Sequence, residues 1–537
     1  MLYDILISKG AGTMYTNKII SKNDSVTLTE QYVAMPDGVR LYTRYAVPNG
    51  AEKCPIVFIR SPYERAQNGV PINVDVYSRD QFIKRGFAVV FQHCRGKGDS
   101  EGFCIPYKNE TRDGLATLDF IRSLPFYNGE IYVFGCSYLA SVHWLYLSTH
   151  PHDVKGACLE IQTDRMFYQY HKNGCVRGLS GTEWWADMAT RKYPHQNRDM
   201  FYSRPYISMA TRVYGEDVPE IRDFLIHNTP DEYWTSDPRW NVIDKLDIPV
   251  LLIEGWYDFY TEGMFNMWER LPEDTKARSA MMVGPYGHAR SVNEAAEYPH
   301  LENGNLPDGY AAEWFDSIHS GRAYGYAPTG KLTYYSTGAA RWQSCIYPRE
   351  RCDVKRLYLA PFGRLASEDT VGEALTYSYD PNSLKNPHKK DNIFRAFKVG
   401  EAEGVLSFIS EPFEKDESFL GSVRFSLRVS TDCEDTGFFA RIYLGEGEEF
   451  YNLTESVGAI SYFAPNYKAG EVATIDIKSA PTAFTVKRGE RIRIDVSSET
   501  TYLPHPNVKG HYAYVEETRV AKNTVFTEGS FIELTRE

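Results

Sequence analysis

No CxxC pair occurs among the nine cysteines, which are scattered and odd in number. That pattern argues against a disulfide framework and against a thiolate metal site. Reduced thiols in a cytoplasmic protein are the expectation, with no metal and no organic cofactor. No apolar run approaches ~20 residues, so no membrane span is expected. The amino-terminal "MLYDILISKGAG" lacks a basic start and a long apolar core, and no secretory signal is read there. Single-sign charge blocks are missing too: the net charge of −12 is spread through mixed acidic and basic residues, which argues against nucleic acid as a partner. Repeats and low-complexity tracts are likewise absent.

What is present is apolar and aromatic. The 537 residues are 42% hydrophobic and 14% aromatic, with thirty-nine tyrosines, enough for large cores or an aromatic-lined pocket. At roughly 150 residues per domain, two to four domains are expected. Up to about residue 135, strand-like runs such as "CPIVFIRS" and "FAVVFQ" alternate with helix-like ones such as "ETRDGLATLDFIRSL". This alternation predicts an α/β domain around a mostly parallel sheet. From about 160 to 244, pieces including "RMFYQYHKNG", "GTEWWADMATRK" and "VPEIRDFLIHN" read as a helical cap insertion. Sheet signals return in "IPVLLIEGWYD" and "ARSAMMVGPYGH", and beyond 345 closely spaced strand-like runs predict an all-β sandwich of about 190 residues. The expected organisation is a core in two parts, 1–159 and 245–345, a cap at 160–244, and a β-domain at 346–537.

The stretch "IYVFGCSYLA" (131–140) places a cysteine beside a serine after a strand-like run and before a helix-like one. Strand, glycine turn, hydroxyl residue and helix make the shape of a nucleophile elbow. Such an elbow prefers glycine two residues before the nucleophile, because the chain passes close there. Counting back from Ser137 reaches Gly135, whereas Cys136 reaches Phe134, so sterics favour the serine. Leu139 stands where the G-x-S-x-G pattern has its second glycine. Two more reactive residues follow strand signals, Asp258 after "VLLIEGWY" and His288 after "MMVGPYG". The chain order Ser, Asp, His is that of the α/β-hydrolases. A serine hydroxyl is a weak nucleophile until an imidazole accepts its proton, and a buried carboxylate fixes the imidazole tautomer. His93 precedes the serine and His143 lies on the elbow helix, which sets both apart from the base.

The chain resembles the cocaine-esterase and X-prolyl dipeptidyl-peptidase group of α/β-hydrolases, the CocE/NonD hydrolases, over nearly its whole length. The segments that carry the resemblance are "MPDGVRLYTRYAVP", "RSPYER", "CRGKGDSEG", "NGEIYVFGCSYLA", "EGWYD", "GPYGH" and "RGERIRIDVSS" with "YLPHPN". It implies an α/β-hydrolase core with a helical cap and a C-terminal all-β jelly roll of the galactose-binding-like type. It also implies Ser137, Asp258 and His288 as the triad, and Tyr63 in the loop bearing the oxyanion-hole tyrosine. The second oxyanion donor, the N–H of Tyr138, follows from its place after the nucleophile at a helix start. Three positions depart from the family: Ala140 replaces the elbow's last glycine, His93 an aspartate, and Tyr286 a tryptophan. Phe259, Trp184 and Trp185 are candidate substrate contacts, the two tryptophans being equally readable as cap core.

The expected activity is cleavage of an acyl ester or amide through an acyl-enzyme, on a small-molecule ester, amide or short peptide. Shorter acyl-esterase and amino-acid-ester-hydrolase branches are favoured, because only the residues before Met35 precede "MPDGV". X-Pro dipeptidyl-peptidase activity is the enzymatic alternative. An inactive protein that binds through its jelly roll is the alternative of another class. A homodimer is one assembly open to the chain.

Overall fold

The computed structural model describes residues 18–63, 80–177, 184, 188, 204–215, 217–288, 301–350, 352–383, 402–498 and 502–537. Its first sheet has eleven strands: β1 (Lys18–Lys22), β2 (Val26–Ala34), β3 (Arg40–Pro48), β4 (Cys54–Ser61), β5 (Ala88–His93), β6 (Tyr127–Cys136), β7 (Val154–Glu160), β10 (Val250–Gly255), β11 (Ala280–Gly284), β12 (Leu332–Ser336) and β13 (Arg341–Cys345). A two-stranded hairpin, β8 (His171–Lys172) with β9 (Cys175–Val176), lies apart from it. The sheet order is β1-β2-β3-β5-β4-β6-β7-β10-β11-β12-β13. From β5 to β12 all neighbours are parallel, and the strands on either flank are antiparallel.

The strand sequences account for this arrangement. "CPIVFIRS", "VLLIEG" and "AMMVG" are buried at every position, as parallel strands covered on both faces must be. β3, near the antiparallel flank, instead alternates buried and half-buried residues. The helices Glu110–Ser123, Tyr138–Leu147 and Thr261–Arg270 enclose one apolar core with the sheet. On the opposite face Tyr310–Ser320 packs Trp314 and Phe315 against Tyr132 and Phe134. Strands β6, β10 and β11 all end on the same edge, which brings the residues that follow them together.

Between β7 and β10 the described cap residues form short helices, among them Phe167–Tyr170, Met209–Tyr214 and Pro219–Ile226. "RMFYQYHKNG", read as helical, is a helix only over Phe167–Tyr170 and then turns into the β8–β9 hairpin. The hairpin is held from afar: Leu503 donates its N–H to the Val176 carbonyl at 2.8 Å, and Ala459 donates its own to the Asn173 carbonyl at 2.9 Å. These tertiary bonds override a local helical tendency. The cap's apolar core also includes Leu503, Tyr512 and Ala513 from the chain's last segment.

The remaining strands make a second, all-β sheet of ten: β14 (Val354–Ala360), β15 (Arg364–Ala366), β16 (Ala374–Tyr379), β17 (Leu406–Ser410), β18 (Glu417–Thr431), β19 (Gly437–Glu446), β20 (Glu449–Ala459), β21 (Ala473–Val486), β22 (Arg491–Ser497) and β23 (Ala521–Thr535). The two ends of its path, β20 and β21, meet: Ser456 donates its hydroxyl to the Lys478 carbonyl at 2.7 Å. The sheet therefore folds nearly closed around one core that includes Phe425, Leu427, Ile442 and Ile494. Among the described residues no helix is long and apolar enough to cross a membrane.

Candidate active site

Ser137 caps the elbow helix with φ 54° and ψ −125°, a conformation that costs a non-glycine residue roughly 1–3 kcal/mol and persists only where surroundings enforce it. The close passage expected at Gly135 is present, since a Cβ there would lie 2.4 Å from the Leu139 carbonyl oxygen. Leu139 in place of the second glycine thus contacts Gly135 through its backbone, and the elbow forms without that glycine. Behind the turn, Gln162 donates to the Ser137 carbonyl at 3.2 Å, and the Ser137 N–H reaches the Glu160 carbonyl at 2.9 Å.

Ser137, Asp258 and His288 meet above the three strand ends. Ser137 Oγ lies 2.9 Å from His288 Nε2, and His288 Nδ1 lies 2.7 Å from Asp258 Oδ2. The other carboxylate oxygen, Oδ1, accepts the Tyr260 N–H at 2.7 Å. The Asp258 side chain is fully buried while that of His288 is 38% exposed, so the imidazole is open to its surroundings and the carboxylate is not. The His288 ring also stacks on Phe259, with centroids 4.5 Å apart and planes at 18°. Glu254, four residues before Asp258, is buried; burial first, and the nearby Asp258 charge second, push its carboxyl well above the usual range and favour its neutral form. His143 is fully buried, and burial pulls its imidazole down to about 3, which removes it as a base at neutral pH.

Tyr63 and Tyr138, the candidate oxyanion donors, line the same cavity as Ser137. Tyr138 is the first residue of its helix, where N–H groups have no acceptor within the helix. Its own phenol is tied down, accepting the Tyr107 N–H at 3.0 Å and donating to Glu110 at 3.1 Å. Tyr63 follows β4, and its N–H donates to Ser61 Oγ at 3.1 Å. Burial pushes the Tyr63 phenol up to about 12, against the opposing effect of hydrogen bonds with Trp184 and Ser137, so it keeps its proton throughout the neutral range.

The cavity over the serine measures about 220 Å³. Its walls include Tyr63, Tyr107, Tyr170, Trp184, Phe259 and Tyr260, with Gln169 as an amide. Trp184 donates its indole N–H to the Tyr63 hydroxyl at 3.3 Å and stacks on Tyr107. Trp185 lies outside the described residues. Tyr107, Gln169, Tyr170 and Tyr260 were not singled out from the sequence. Tyr260 alone carried a local signal, its position two residues after Asp258.

The family departures have identifiable consequences. His93 anchors the "CRGKGDSEG" loop, accepting the Asp99 N–H on Nδ1 at 3.4 Å and the Ser100 hydroxyl on its carbonyl at 2.9 Å. The same loop is pinned by a buried pair, Arg95 with Asp113 at 2.7 Å. Tyr286 occupies space that a side chain at Gly255 or Gly284 would need, since a Cβ at either would lie 2.0 Å from its atoms. It therefore packs between the ends of β10 and β11, next to Asp258 and His288.

An α/β-hydrolase sheet carrying serine, aspartate and histidine after the ends of three parallel strands defines the class of the protein, and comparison with known proteins gives its family. Residues 37–290 match the family described as X-Pro dipeptidyl-peptidase (S15 family), and residues 329–532 match the X-Pro dipeptidyl-peptidase C-terminal non-catalytic domain. β12 and β13 fall within the second match although they extend the first sheet. A Mycobacterium bovis protein whose name proposes a serine esterase is 31% identical over 602 residues, covering 91% of this chain and 94% of its own. The cocaine esterase of a Rhodococcus species is 24% identical over 558 residues, covering 92% and 95%. Among solved structures, an α-amino acid ester hydrolase aligns over the whole of both chains with TM-score 0.78 and 19% identity. A Staphylococcus aureus CocE/NonD family hydrolase aligns over 95% of this chain and 94% of its own, with TM-score 0.67 and 17% identity. The chain belongs to the CocE/NonD family, and it is a serine hydrolase acting on esters or amides.

Proposed function

We propose that Ser137 is the nucleophile, His288 the general base and then acid, and Asp258 the group that orients and stabilises the imidazole. The observation that carries this reading is the continuous path Ser137 Oγ–His288 Nε2 at 2.9 Å and His288 Nδ1–Asp258 Oδ2 at 2.7 Å. In this reading Ser137 Oγ attacks the substrate carbonyl as its proton passes to His288 Nε2. The charge that develops on the carbonyl oxygen is met by the Tyr138 N–H and the Tyr63 hydroxyl. Collapse breaks the bond to the leaving group, which takes the proton from His288, and leaves the acyl group on Ser137. A water molecule, deprotonated by the same imidazole, then releases the acid. Residues 1–159 and 245–345 form the hydrolase core of this reading, 160–244 the cap and 346–537 the β-domain. The scattered cysteines, with no CxxC spacing among them, support a reducing, cytoplasmic setting. Light scattering decides between a monomer and the homodimer.

Tyr63→Phe removes one donor and little packing. It is expected to lower kcat by about 10²–10³-fold with KM less affected. An unchanged kcat with a raised KM would instead make Tyr63 a substrate-binding residue.

Within esters and amides, the cavity favours an uncharged acyl group. Aromatic rings and one amide dominate its described lining, and Asp258 turns its carboxylate to His288 and Tyr260 instead. A substrate's free ammonium would lose its hydration there without a carboxylate from a described lining residue to replace it. Matched phenyl esters of acetic, butyric and benzoic acids, α-amino acids, and an X-Pro amide test this directly. The uncharged esters are expected to show kcat/KM at least tenfold above the others. A preference for the α-amino ester or the X-Pro amide would overturn the proposal and establish the competing branch.

A further inference from the structure

Arg177 immediately follows β9, outside the cavity over Ser137, and its guanidinium joins three parts of the chain. Nη1 donates to the Phe259 carbonyl at 2.9 Å, and Nη2 donates to the Tyr502 hydroxyl at 2.8 Å. The guanidinium carbon also lies 5.2 Å from the Tyr502 ring centroid and 6.0 Å from that of Phe259. The carboxylates nearby have other cations: Glu262 pairs with Lys172, and Glu455 with Arg441. Arg177 therefore spends these contacts on a backbone carbonyl, a phenol and two rings, an arrangement that the planar fork of arginine suits and lysine does not.

Phe259, together with Gln169 and Tyr260, lines two neighbouring cavities: one of about 220 Å³ that also holds Ser137 and His288, and one of about 40 Å³ that also holds Arg177 and Tyr502. The His288 ring stacks on Phe259, and the Phe259–Tyr260 peptide whose carbonyl Arg177 grips also carries the Tyr260 N–H that bonds Asp258 Oδ1. We infer that Arg177 is a positioning residue, through which Tyr502 of the C-terminal region holds Phe259 and thereby fixes the orientation of His288 against Ser137. The inference rests on the proposed roles of Ser137 and His288.

The test is steady-state hydrolysis of phenyl acetate by Arg177→Met, Arg177→Lys, Tyr502→Phe and Arg177→Met/Tyr502→Phe, with active sites counted by fluorophosphonate incorporation. Per active site, Arg177→Met should lower kcat by about 10- to 10²-fold, as misplacement of a catalytic group does, with KM within about threefold. Tyr502→Phe should lower it by roughly three- to tenfold. The double variant should be no worse than Arg177→Met alone, because both act through one contact. Arg177→Lys should recover only part of the loss. A merely structural role would lower the fraction of active sites and leave the per-site kcat intact, and that result would overturn the inference. So would a change in KM alone, or losses that multiply in the double variant. If Arg177→Met does not fold, an unchanged per-site kcat in Tyr502→Phe is sufficient to overturn it. Ser137→Ala separates the two levels: retained turnover there refutes the site, whereas a dead Ser137→Ala with a normal Arg177→Met refutes only the relay.

Discussion

Replacing Ser137 with alanine should lower kcat by about 10⁴-fold or more while leaving the fold intact, and His288→Ala and Asp258→Asn should do nearly the same. In the proposed mechanism the serine oxygen is the atom that becomes bonded to substrate, and it is the described group that lies against His288 Nε2, at 2.9 Å. Asp258→Asn keeps the shape of the side chain but offers an amide where the imidazole needs an acceptor, so the tautomer that leaves Nε2 free to take the serine proton is lost. Combining the substitutions should add little, because each already disables the same proton path. Cys136→Ala is the control. Cys136 is the last residue of β6, one position short of the strained turn, and its removal should leave turnover near normal. Steady-state kinetics with circular dichroism decides the matter. Near-normal turnover in Ser137→Ala, or loss of turnover in folded Cys136→Ala, would reverse the assignment.

The second large effect concerns the C-terminal region. A chain ended near residue 350 should be insoluble or inactive, because the second sheet completes the first. Thr337, just after β12, donates its N–H to the Ala483 carbonyl at 3.1 Å and accepts the Thr485 N–H at 2.7 Å. Leu420 and Ala483 lie in the same buried cluster as Trp256, Met264 and Trp268 of the hydrolase part. Cap residues depend on it as well: Ile207 donates to the Ala513 carbonyl at 2.9 Å, and His511 Nε2 lies 2.8 Å from the Ile226 carbonyl. Removing these contacts exposes apolar surface and leaves backbone groups without partners. Expression and sedimentation of the truncated chain test this. A soluble fragment with full activity would make the β-region an accessory module.

The residues of the proposed triad were legible as candidates in the sequence because each sits in a short local pattern: an apolar strand, a tight turn, then a side chain of the required type. The continuous apolar runs in "VLLIEG" and "AMMVG" mark those strands without reference to their partners, and the structure buries both at every position. The cavity walls were not legible. Tyr107, Tyr170 and Trp184 come from separate segments, and only the fold places them around Ser137. The β8–β9 hairpin has two residues per strand, too few for alternation to register, and its bonds to Leu503 and Ala459 span most of the chain. Arg177 was invisible for the same reason, since its partners Phe259 and Tyr502 are distant in sequence and carry no pattern linking them to it.

The central claim is that one serine, Ser137, becomes covalently acylated. Labelling the folded protein with a fluorophosphonate and mapping the adduct by peptide mass spectrometry tests it most directly. The account predicts one adduct per chain, on the peptide containing Ser137, with activity lost in proportion and no adduct in Ser137→Ala. An adduct on another residue, or full activity after Ser137 is modified, would contradict it.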